Sequence, residues 1–258
     1  MAGKDAIRLT DAFEQLLSPA IKDQLRAIGG RVCDVVGPAV DQARRAGDDA
    51  GRRDALAEAH AIAAAIFEAE CMGYFHNVPG GLDLFKSLAC KSGCAFCCEL
   101  KVEVTTFEAG AIWAGLQGPD HAGRREALLT VGPRTAALDT EARRRTRIPC
   151  ALLGPSGECS IYAIRPYGCR GFFATDAADC ERVLKAPAGV RLPPVRSPAV
   201  PRALSTVFAA GANAALAEKG VQHDFVELNS ALAALVHDPA ALGNWLNGQR
   251  VFAPAAPG

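Results

Sequence analysis

Cys90, Cys94, Cys97 and Cys98 fall within nine residues, spaced C-x3-C-x2-C-C, with Ser92 and Gly93 between the first two. A thiolate is a nucleophile and a metal ligand. A small polar residue followed by glycine lets the backbone fold back, so several sulfurs can meet at one point. A second group follows, Cys150-x8-Cys159-x9-Cys169, and then Cys180 in a segment with little regular pattern. Eight of the ten cysteines thus lie between positions 90 and 180, a clustering that core packing does not explain. The candidate metal ligands are therefore Cys90, Cys94, Cys97, Cys98, Cys150, Cys159, Cys169 and Cys180. Cys33 and Cys71 stand apart on helical stretches and read as small buried hydrophobes.

Seven or eight thiolates exceed one tetrahedral zinc site. They suffice for two such sites, or for one [4Fe–4S] cluster with ligands to spare. The vicinal pair Cys97-Cys98 bears on the choice. Adjacent side chains in extended backbone point to opposite faces, so the two are not expected on a single ion. The irregular spacing, with only one C-x2-C element (Cys94-x2-Cys97), tilts the expectation toward an iron–sulfur cluster over zinc. Arg165 and Arg170 flank the second group. Guanidinium donors can hydrogen-bond sulfur and offset the negative charge of a four-thiolate centre, so both are candidate cofactor-binding residues.

No catalytic residue emerges. There is no His-Glu-x-x-His, and His60, His76, His121, His223 and His237 are scattered. Phosphate-binding, nucleophile-elbow and Rossmann signatures are absent. Cys90-x3-Cys94-x2-Cys97 has the spacing of a radical S-adenosylmethionine cluster, with Phe96 before the third cysteine. That chemistry needs alternating strand–helix units, which the downstream chain does not show. A thiol–disulfide role for Cys94-x2-Cys97 would want a βαβ pattern, also missing.

The chain has 258 residues and 50% hydrophobic residues, enough for a core without help from cross-links. Lys+Arg and Asp+Glu are both 28, so nothing in the charge balance points to nucleic acid or an anionic membrane. The first ten residues lack an apolar stretch typical of a signal peptide. No run approaches the ~20 apolar residues of a membrane span. The expectation is a cytoplasmic protein, where clustered cysteines are more often metal-binding or catalytic than disulfide-bonded. No protein partner is implied.

The elements expected to carry the cysteines are mostly helical. Apolar residues at 3–4 spacing predict a helix over 6–28, interrupted at Ser18-Pro19 and ended by Gly29-Gly30. A weaker helix over 31–46 would kink at Gly37-Pro38, and the strongest helical pattern covers 52–76. A short amphipathic segment around 82–88 leads into the first cysteines. Residues 100–104 alternate as a short strand. Thr105-x-x-Glu108 is a capping box that opens a helix to about Leu116. Residues 120–147 read as helix split at Gly132-Pro133. They end in Arg143, Arg144, Arg145 and Arg147, a solvated helix end whose functional alternative is an electropositive wall beside the metal. Residues 186–201, rich in proline, read as an extended strap. Helices follow over 202–219 and 224–237, then a short one capped by Asp238 and containing Trp245, then a frayed tail after Phe252. The fold class is mainly α: a loop-rich, short-strand cysteine core (81–185) between an N-terminal helical segment (1–80) and C-terminal helices (186–258).

Cys90-x3-Cys94-x2-Cys97-Cys98, Val102-x-Val104, Glu108-Ala109 and the run Pro149-Cys150 through Cys159-Ser-Ile-Tyr162-x-x-Arg165-Pro166-x-x-Cys169-Arg170 together resemble the YkgJ-type cysteine-cluster family. That family carries a zinc- or iron-chelating CxxCxxCC domain, and the resemblance covers about residues 86–173. It implies a metal-binding protein whose centre is structural, redox-active or used in metal handling. Flagellin lysine N-methylases carry a similar cysteine arrangement, so the alternative is a metal-dependent enzyme, a cluster-containing methyltransferase by this resemblance or a radical-type enzyme by the Cys90-x3-Cys94-x2-Cys97 spacing.

Overall fold

The computed structural model describes residues 7, 9–190 and 192–256. Four helices precede the first cysteines: α1 (Asp11–Leu16), α2 (Pro19–Arg45), α3 (Asp49–Asn77) and α4 (Gly81–Ser87). After a 3-10 turn at Phe96–Glu99 come β1 (Glu103–Thr105), α5 (Thr106–Gly115), α6 (Ala122–Thr135) and α7 (Thr140–Thr146). The second cysteine group leads into α8 (Tyr167–Gly171) and α9 (Ala177–Lys185). The chain closes with α10 (Ala199–Glu218), β2 (Phe225–Glu227), α11 (Leu228–His237) and α12 (Ala241–Leu246). The structure is mainly helical, as the patterning implies. None of the described helices is long and apolar enough to cross a membrane.

The core is built where α2, α3 and α10 meet and where α6 packs on α11. One buried cluster takes Val32 and Val36 from α2, Leu56 and Phe67 from α3, and Phe107 and Ile112 from α5. It continues through Phe208 of α10, Leu232 of α11 and Trp245 of α12. At roughly 1.5–3 kcal/mol per fully buried large side chain, this cluster is the main apolar support of the scaffold.

Two helix ends expected from glycine and proline are not ends. Helix α2 runs unbroken through Gly29-Gly30 and past Pro38. The glycines serve a close approach instead: a Cβ on Gly29 would lie 3.0 Å from the Val207 carbonyl oxygen of α10, and one on Gly211 would strike the Gly29 carbonyl. Tertiary contact here overrides a propensity cost of about 1 kcal/mol per glycine. Likewise α6 continues through Gly132-Pro133 because a Cβ at Gly132 would meet the Asn229 carbonyl oxygen at 2.9 Å. The break falls at 136–139, where the Asp139 carboxylate accepts from Ala142 N at 2.7 Å and caps α7. The part of the expected first helix at residues 6 and 8 lies outside the described residues.

The strand expected over 100–104 sits at Glu103–Thr105 and pairs antiparallel with β2, Val104 opposite Val226. β2 falls where the apolar pattern predicts the start of a helix. At three residues it is too short for alternation to register. The capping box is present: Thr105 Oγ1 accepts from Glu108 N at 3.1 Å, and Glu108 Oε2 accepts from Thr105 N at 2.9 Å. Beyond Phe252 the tail is anchored rather than frayed. Ala255 N donates to Phe225 O at 2.8 Å, and Lys101 Nζ donates to Ala256 O. Residues 257 and 258 lie outside the described residues.

Candidate metal centre

The first cysteine loop is pinned at its base by backbone bonds. Ala89 N donates to Ala174 O at 2.8 Å, and Ala174 N donates to Cys90 Sγ at 3.2 Å. The chain then turns at Gly93, where φ is +86° and glycine is the residue that tolerates it. Cys94 N closes the turn onto Lys91 O at 3.0 Å. Cys97 and Cys98 follow on the 3-10 turn. Helix α9 packs against that turn and brings Cys180, which is buried.

The second loop is joined to the first through main chain. Cys150 N donates to Cys98 O at 2.8 Å. An antiparallel bridge between Leu153 and Cys159 doubles the loop back on itself, with Gly157 at φ +84° in the bend. A Cβ on Gly157 would lie 3.0 Å from Gly93 O, so the two loops touch glycine to glycine. Asn229 reaches in from α11, its Oδ1 accepting from Ala151 N at 2.9 Å. Cys169 rides on α8, whose first turn is tied down where Tyr167 N donates to Glu108 Oε1 at 2.8 Å. A cleft of about 330 Å³ opens between the loops, and Cys94, Cys98 and Cys159 line it.

The sulfurs fall into two neighbourhoods. The Cys180 thiol is pushed up to about 11, first by burial and then by the nearby charges of Cys90, Cys94 and Cys97. The Cys150 thiol is pushed up to about 12 by burial and by Cys159. The Cys169 thiol is raised by burial and by Cys97, Cys150 and Cys159. Cys97 lies within electrostatic reach of both neighbourhoods. Its own thiol is raised by a hydrogen bond with Cys98 and by burial. Cys97 is thus common to both groups, acting on Cys90 and Cys180 on the one hand and on Cys159 and Cys169 on the other, with Cys98 beside it on the same turn. Cys33 and Cys71 are buried elsewhere, on α2 and α3.

Arg165 and Arg143 act on the sulfurs electrostatically, whereas Arg170 does not reach them. Arg165 lies over the Tyr162 ring, its Cζ 3.6 Å from the centroid, and its charge partly offsets the burial that raises the thiols of Cys97 and Cys159. Arg170 is buried and turned toward the backbone. It donates to Arg165 O at 3.0 Å, to Ala163 O, and to Glu68 at 2.7 Å, so it fixes the loop carrying Arg165. Arg143, at the end expected to be a solvated helix terminus, is instead fully buried. Arg144 is buried too, donating to Glu141, Val183 O and Ala186 O. Arg143 donates to Glu99 O at 3.2 Å and to Ile148 O, while its Nε and Nη2 have no partner. A buried donor left unmade costs about 1–3 kcal/mol. Only burial marks Arg143 out, and a run of four arginines gives no sequence signal for it.

Among the described residues, no three histidine, cysteine, aspartate or glutamate side chains already converge so as to hold an ion. The donor chemistry nevertheless fits a thiophilic cation. Burial and mutual repulsion oppose thiolate formation here, and a bound cation reverses both effects by supplying the opposite charge. Closing such a site would release protons, which is the usual coupling of thiolate ligation to metal uptake.

Residues 89–186 match the family model CxxCxxCC, described as "Putative zinc- or iron-chelating domain". The matched span takes in all eight clustered cysteines and is the family that the sequence pattern resembles. No curated protein and no solved structure matches the chain.

Proposed function

We propose that this protein chelates metal through two adjoining thiolate sets. Cys90, Cys94 and Cys180 form one, and Cys150, Cys159 and Cys169 form the other, each completed by one member of the Cys97-Cys98 pair. The observation that carries this reading is that Cys97 acts on thiols of both groups while Cys98 sits beside it on the same tight turn. Three plus one on each side makes two four-thiolate centres. The ligands in excess of a single cluster thereby find a use, and either two zinc ions or iron held as iron–sulfur can be accommodated. All-thiolate shells with no open position serve structure, electron transfer or metal storage better than hydrolysis. The match of residues 89–186 to a zinc- or iron-chelating domain supports the same class.

The test is anaerobic purification with zinc, iron and sulfide analysis and an absorption spectrum. Two centres per chain are expected: two zinc equivalents, or iron and sulfide in equal amounts sufficient for two clusters. A colourless protein identifies zinc, and a brown one with stoichiometric sulfide identifies iron–sulfur. Cys180→Ser and Cys159→Ser should each lower the metal content by about half, with the other centre retained. A wild-type protein that purifies without metal, resists reconstitution, and has all its thiols titrating freely would overturn the proposal.

A further inference from the structure

Arg143 occupies the seam between the two cysteine loops. One of its nitrogens, Nη1, bonds Glu99 O, one residue past Cys98, and Ile148 O, two residues before Cys150. The main-chain bond from Cys150 N to Cys98 O closes the same seam. The two remaining nitrogens, Nε and Nη2, are buried and unpartnered.

The carboxylates that act on Arg143 are occupied. Glu227 accepts from Asn229 Nδ2 at 2.7 Å, from Thr135 Oγ1 at 2.7 Å and from Ser230 N at 2.8 Å. The Glu99 carboxylate is held by Arg147. The remaining group that acts electrostatically on this guanidinium is Cys150. A planar guanidinium with a fixed fork of donors suits a sulfur anion beside a fixed backbone.

We propose that Arg143 is the built-in counter-ion of the Cys150 side of the centre, its free Nε and Nη2 donating hydrogen bonds to the Cys150 thiolate once that sulfur is a ligand. The proposal rests on the chelation reading above. It gives Arg143 two tasks. One nitrogen clamps the backbone of both loops, and the others neutralise part of the negative charge that four thiolates bring into a buried place. A hydrogen bond stabilises the sulfur lone pairs, so it makes the thiolate a weaker electron donor and a poorer target for protons.

The full chain is loaded with cobalt(II), whose sulfur-to-metal charge-transfer bands report on thiolate donor strength, in wild type, Arg143→Gln and Arg143→Lys. Wild type should bind two equivalents. In Arg143→Gln one component of the charge-transfer absorption should move to lower energy. One of the two affinities, measured by chelator competition, should fall on the order of 10–100-fold, the range for loss of an outer-shell partner. Arg143→Lys can keep a donor on the two backbone carbonyls, and so the fold, but cannot span to the sulfur as well. It should melt close to wild type and still show the band shift, which a purely structural role would not produce. Wild type that takes up no cobalt brings down the chelation reading and this one with it. Two equivalents in wild type with unchanged bands and affinities in both variants overturns the role of Arg143 alone. If Arg143→Gln does not fold, the spectrum of Arg143→Lys decides.

Discussion

At the scale of single residues, the eight clustered cysteines are legible because their spacing has no packing explanation, and the structure carries them on two joined loops and the helices α8 and α9 beside them. What could not be read was which polar side chains lie buried among or near them. His60 is a second case besides Arg143. It looked like one scattered histidine, yet it is buried, stacked on Tyr167 with centroids 5.3 Å apart, and its Nε2 has no partner. Burial holds the imidazole down at about 3, with the nearby Arg170 charge adding to the effect. The sign of the consequence follows directly. As pH falls below the ordinary histidine value of about 6.5, the unfolded chain binds a proton that the folded chain refuses. Stability is therefore full above that value and declines by at most about 1.4 kcal/mol per unit as pH drops toward 3. His60→Phe should remove this contribution. Urea unfolding of metal-free wild type and variant between pH 7 and pH 4 checks it, and parallel curves would show that His60 is not responsible.

At the scale of elements, the helices and the capping box before α5 follow from local pattern, whereas their ends do not. Gly29-Gly30 looks like a stop in isolation, since nothing in a local window shows that another helix needs the space. Gly211 is the partner position on α10, where a Cβ would strike the Gly29 carbonyl. Backbone, unlike the end of a flexible side chain, cannot move aside cheaply. Gly211→Ala should therefore destabilise by about 1–3 kcal/mol, the range for overpacking, although alanine is the better helix former. Gly73→Ala on α3, where a Cβ meets nothing within 4 Å, should be neutral or slightly stabilising. Thermal melts of the two variants side by side separate packing from propensity. β2 was hidden for a related reason: its pairing partner, β1, lies more than a hundred residues away in sequence.

At the scale of the whole molecule, the apolar cluster joins helices from both ends of the chain, while the cysteine loops are held mainly by turns and a few backbone bonds. Removing metal should accordingly loosen one region and spare the rest. After chelation under reducing conditions, amide hydrogen exchange should rise over 90–98 and 150–160. The buried faces of α2, α3 and α10 should stay protected, and far-ultraviolet circular dichroism should change little. Global unfolding on chelation would mean that the helical core depends on the centre.

The bond from Cys150 N to Cys98 O brings together two points separated by about fifty residues of chain. A metal bridging the same loops would therefore act as a reversible cross-link on the disordered chain. By the loop-closure relation used for disulfides, a tether of that length removes about 4 kcal/mol of chain entropy from the unfolded ensemble. The intervening span contains β1 and α5 to α7, so a metal captured early would hold the two ends of that span together while those elements form. Metal would then favour folding through the unfolded chain as well as through the finished centre.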